Sequence, residues 1–120
     1  TLAHGWNKPE GAVALGKWDK FMTEQLVYFL EQLDSQQEGD GTLLDRTMVL
    51  HGSSNSTTHN NSNYPLIFAG GSGLGLKHGH YVKVANDEPM SNLFVTMLNK
   101  MGVETTSFAD STGDLTAIQA

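Results

Sequence analysis

The chain has no cysteine. That removes disulfides, thiolate metal sites and cysteine nucleophiles together. It is poor in charge, with only 17% Asp, Glu, Lys and Arg and a net charge of −6. So few cations on an acidic chain argue against nucleic acid or an anionic membrane as partner. No apolar run approaches the roughly 18 residues of a membrane span, so no membrane span is expected. The first residues also lack the basic and apolar segments of a secretory leader. At 120 residues there is enough chain for one core and not two.

What is present reads as helices and short strands. "NKPE" has a capping Asn7, then Pro9 and Glu10 in a first helical turn. Leu15, Trp18, Met22, Leu26, Phe29 and Leu33 follow in steps of three and four, one continuous apolar stripe. Phe21, Tyr28 and Leu30 widen it, which predicts a helix packed broadly on a sheet, with Leu26 and Phe29 facing the core. "LLDRTMVLHG" supplies a strand over about residues 46–51, and "YPLIFAGG" a second one stopped by Gly70 and Gly71. Neither run alternates, as expected of strands covered on both faces of a parallel sheet. "HYVKVAN" does alternate and predicts a more exposed strand over 80–84. Asp87-Glu88-Pro89 launches a second helix striped by Leu93, Met97 and Met101, with Gly102 as its C′ glycine. The tail is polar, with an isolated Phe108. This order predicts an α/β fold with a mostly parallel sheet flanked by helices. The first helix has no preceding strand, so residues 1–120 are expected to be the C-terminal portion of a single larger α/β domain.

The glycine-rich "AGGSGLGLKHG" does not match a nucleotide loop: counted from Gly71, the third glycine position holds Leu76, and no helix follows. Ser53, Ser54 and Ser56 lack the G-x-S-x-G elbow of a serine hydrolase. Of the five histidines, His78 and His80 flank a glycine on a turn and are expected to be exposed, while His51 ends a strand. His4 and His59 lie off the apolar faces, in polar segments. No H-x-x-x-H or H-E-x-x-H pair exists, so a metal site would need ligands from distant segments.

Four stretches carry a resemblance. "GSSNSTTHNNSNYPLIFAGG", "EGDGTLLDRTMVLHGS", "SNLFVTMLNKMGVETTSFADSTGDL" and "AHGWNKPE" resemble the loop, strand entry, C-terminal helix with its S-T-G-x-L ending, and opening of an exported bacterial family catalogued as domain of unknown function 1552. The resemblance implies an architecture like that of alkaline phosphatases and sulfatases, and an exported, periplasmic or cell-surface location with the export signal upstream. It implies His4 and His59 as ligands of a divalent metal such as zinc, lying on one side of the sheet. A sister family has an aspartate at the place of Leu2 and a Glu-Phe pair at the places of Ser53 and Ser54, while the resembled family itself commonly has a histidine at the place of Ala3.

In such a fold, loops at the carboxyl ends of strands form the ligand crevice. Ser53, Ser54, Asn55 and Asn63 would then bind substrate through neutral hydroxyls and amides. The expected function is an exported, hydrolase-like protein acting on phosphate or sulfate esters. The alternative is a non-catalytic relative that binds a surface polymer or a protein partner. Expected partners are a small anionic ester or polysaccharide and the remainder of the same longer protein.

Overall fold

The computed structural model describes residues 3–56 and 59–120. Helix α1 runs Pro9–Asp34. A small hairpin of β1 (Gln37–Glu38) and β2 (Gly41–Thr42) follows, turned by Gly39 at φ +62°. Strands β3 (Val49–Gly52) and β4 (Leu66–Ala69) form the second sheet, and α2 spans Ser91–Lys100. Single 3-10 turns lie at Ala3–Gly5, Leu44–Arg46, Ser72–Leu74 and Thr116–Ile118.

The expected mostly parallel sheet is not formed. Both sheets have two strands, and β3 pairs β4 antiparallel, from Val49 opposite Ala69 to Gly52 opposite Leu66. The physical reason is the connection. Parallel neighbours need a crossover, usually a helix, whereas the described part of 53–65 is a polar loop without one, and it folds straight back. Nor are the strands covered on both faces: Leu66 and Ile67 are exposed. The strand expected over 80–84 is also absent. Among the described residues its backbone has no ladder partner, and the tail pairs one step earlier, through a bridge of Leu76 with Gln119 and a bond from Lys77 N–H to Ile118 C=O.

The helices fare better. Lys8, one residue after the expected Asn7, caps α1, because the residue before a proline is driven to extended backbone; Lys8 has φ −107° and ψ 143°. Helix α2 ends in a Schellman motif. Gly102 sits at φ +80°, with bonds from Val103 N–H to Leu98 C=O and from Gly102 N–H to Asn99 C=O.

The core is where α2, the turn after β4 and the tail meet. Leu76, Leu93 and Ile118 are its buried centre, with Met48, Leu50, Phe68, Met97 and Leu115 packed around them. The tail, polar in sequence, is integrated by the polar residues of α2. Asn92 Nδ2 donates to Glu88 Oε1 and Thr112 Oγ1, and Asn92 Oδ1 accepts from the N–H groups of Thr112 and Gly113. Ser91 donates to Asp110, and Thr96 Oγ1 accepts from Leu115 N–H. Phe108 is not isolated either; its ring meets Phe94 edge-on at 5.8 Å.

Helix α1 lies largely outside this core. A chain of this length packed to usual density has a radius of gyration of about 14 Å; here it is 16.6 Å. Of the predicted pair, Leu26 is buried but Phe29 is exposed, as are Trp18, Phe21 and Tyr28. The broad stripe is left uncovered because the parallel sheet expected to cover it does not form among the described residues. Leu26→Ala should therefore cost roughly 2–5 kcal/mol, whereas Phe29→Ala should stay within about 0.5 kcal/mol, as at exposed sites. Urea unfolding of both variants checks this, and equal losses would contradict the assignment of faces.

Candidate functional site

The polar loop leaves the carboxyl end of β3 at Gly52 and returns to β4 through Tyr64 and Pro65. Its described residues fold on themselves by short-range bonds, as Ser and Asn favour in turns. Asn55 N–H donates to Ser53 Oγ, Ser62 N–H donates to Asn60 Oδ1, and Ser56 N–H donates to Asn60 C=O. His59 and Asn63 both take the left-handed backbone region, at φ +55° and +53°. Asn and His enter that region more readily than most residues.

Near the first residues of the sequence, the Ala3–Gly5 turn packs against α1 and carries His4. The two histidines meet. The rings of His4 and His59 have centroids 5.6 Å apart and are tilted 52° to each other. Both residues are exposed, so the pair opens to solvent. Ser53, Ser54, Asn55 and Asn63 are likewise exposed, and among the described residues none of them is hydrogen-bonded to either imidazole. The crevice they were expected to line, at the carboxyl edge of a parallel sheet, is replaced by the open end of an antiparallel pair. Leu2, at the place of the sister family's aspartate, lies outside the described residues.

The donor set can be tested against a divalent metal. Ring nitrogens bind zinc at about 2.0–2.1 Å, so two rings sharing one ion have centres roughly 5–6 Å apart. The observed separation fits. Zinc takes four ligands in closed sites and three protein ligands in catalytic ones. Among the described residues no group of three or more His, Asp or Glu comes together. Among the described residues the two imidazoles come together without a third such side chain beside them. No hydroxyl among the described residues is bonded to an imidazole, so no serine is arranged as an activated nucleophile.

His51 is half-buried opposite Ile67. His78 and His80 are exposed, as expected, and their Nε2 atoms bond the carbonyls of Gly70 and Ala117.

Two features escape a reading of the sequence. The first is an apolar groove of about 520 Å³ between α2 and the entry to β3, lined by Met48, Phe94, Met97, Met101 and Phe108. It shares no residue with the histidine pair. Its one signal in the sequence is a phenylalanine in an otherwise polar tail. The second is Asp45, which ties three turns together. It accepts bonds from Ser72 Oγ, from Thr42 N–H at 2.8 Å and from Thr42 Oγ1 at 3.2 Å. Compared with known families, with curated proteins and with solved structures, the chain matches none.

The Ser72 hydroxyl, ahead of the Thr42 N–H, holds the Asp45 carboxyl below the usual carboxylate range. A depressed folded pKa stabilises the protein above the unfolded value, about 3.9, and that contribution is lost as pH falls through the lower folded value. The stability gap between wild type and Asp45→Asn should therefore hold from about pH 7 to 5 and shrink on further acidification. Urea titrations across that range check it. A gap that widens in acid would contradict the assignment.

Proposed function

We propose that this chain contributes the paired imidazoles of a divalent-metal site in an exported, hydrolase-like protein acting on phosphate or sulfate esters. The observation that carries the reading is the meeting of His4, from the turn before α1, and His59, from the loop after β3, at a spacing suited to one shared ion. The opening and loop motifs that resemble the exported family support it, because His4 lies in the first and His59 in the second. A bound divalent ion would act as a Lewis acid toward an ester oxygen. The chain's own contribution is to hold the two rings on separate backbone elements. Around them, Ser53, Ser54, Asn55 and Asn63 present neutral donors and acceptors to a charged or polyhydroxylated ligand. Further polypeptide of the same protein, packed on the exposed Trp18, Phe21 and Phe29 of α1, is the source we assign to the missing ligands.

A second reading is that of a non-catalytic relative, which binds a surface polymer or protein partner through the same loop. The absence of a carboxylate beside the histidines among the described residues favours it.

Calorimetric titration with zinc separates these from a chance contact. One site should appear, and His4→Ala or His59→Ala should each weaken it by at least the 10–100-fold typical of merely supporting residues. Turnover of an aryl phosphate or sulfate by the zinc-loaded protein supports the hydrolase. Zinc binding without turnover supports the binder. Zinc affinity unchanged in both variants would overturn the metal site.

A further inference from the structure

The contact that delivers His4 to the pair is made by two glycines. Gly5, the residue after His4, lies against Gly11 in the first turn of α1. A Cβ built on Gly11 would overlap the carbonyl oxygen and carbon of Gly5 and stand 3.0 Å from its Cα. All three are backbone atoms, so no flexible side chain can move aside. The reverse is not true: a Cβ on Gly5 would meet Gly11 Cα at 3.7 Å, an ordinary contact. Neither glycine has positive φ, so the requirement is for space and not for a special backbone conformation. The same Gly5 carbonyl accepts the Lys8 N–H at 3.0 Å, which closes the turn that leads into α1.

We propose that Gly11 is a positioning residue for the His4–His59 pair: its missing side chain lets the Gly5 carbonyl seat on α1, and that seating aims His4 at His59. This rests on the reading of the pair as a metal site, but the geometry can be tested without metal. Any side chain at position 11 must displace Gly5, and His4 is bonded directly to it. Gly16, on the same helix, supplies the control, because nothing lies within 4 Å of a Cβ built there.

The experiment follows the two imidazoles by NMR in the metal-free protein, then titrates zinc. In the wild type, ring protons of His4 and His59 should show a mutual Overhauser effect. Gly11→Ala should abolish it and weaken zinc by at least about tenfold, by analogy with supporting residues of metal sites. Helical circular dichroism should not fall, since alanine favours helix over glycine. Gly16→Ala and Gly5→Ala should retain both the Overhauser effect and the zinc affinity. Gly11→Ala that keeps both signals would overturn the proposal. A wild type with the Overhauser effect but no zinc binding would instead overturn the metal reading and leave the positioning test intact. Loss of the effect in Gly16→Ala as well would show a general response of the helix, and would also overturn the proposal.

Discussion

The amide of Asn92 is the interaction on which the rest of the structure depends. It is 3% exposed, and its two N–H donors and its oxygen are all engaged, two bonds out and two in. A buried side-chain amide is costly unless its hydrogen bonds are made. Here they are made to a segment with little apolar surface of its own. Removing the Asn92 oxygen would leave the Thr112 and Gly113 N–H groups without that partner, at about 1–3 kcal/mol for each one buried and unsatisfied. Thr96, 1% exposed, repeats the device one turn later by accepting from Leu115 N–H. Helix α2 therefore holds the tail by polar contacts along one flank, and Leu93 and Met97 reach the apolar core along the other.

From that clasp the remainder follows outward. Holding the tail places Ile118 beside Leu76 and Leu93, and these three are the buried centre. The tail also pairs with the glycine turn after β4, through Leu76 and Gln119. The β3–β4 pair is thereby backed by a core on one face, which a two-stranded sheet needs to persist in water. Its other end carries the loop with His59. On the opposite side, α1 is held chiefly by the turn at Leu44–Arg46 and by the Ala3–Gly5 turn. The histidine pair bridges the two parts, one ring from the sheet loop and one from the turn at the head of α1. Its geometry depends on both supports.

How much of this was legible depends on the range of the interaction. Local signals read well. Pro9 and the three-four stripe located α1, Gly70 and Gly71 stopped β4 at positive φ, and Gly102 closed α2. Pairing did not read well. An apolar run without alternation looks the same whether its strand lies in a covered parallel sheet or in a small antiparallel pair with an open face. Residues 66–69 proved to be the second kind. Asn92 and Thr96 looked like ordinary polar positions on a helix, because nothing in their neighbourhood announces the tail twenty residues away. His4 and His59 were singled out by lying in polar segments and by a resemblance, and not by spacing. Their meeting is a tertiary fact, and no periodicity in the chain encodes it.

The most direct measurement is native-state hydrogen exchange of the tail amides. If Asn92 and Thr96 make the tail part of the core, the Thr112, Gly113 and Leu115 amides should open only with the α2 amides that surround Leu93, in one cooperative unit. They should therefore share its protection. Exchange of these three amides at the rate of an unfolded segment, while α2 stays protected, would contradict the account at its centre.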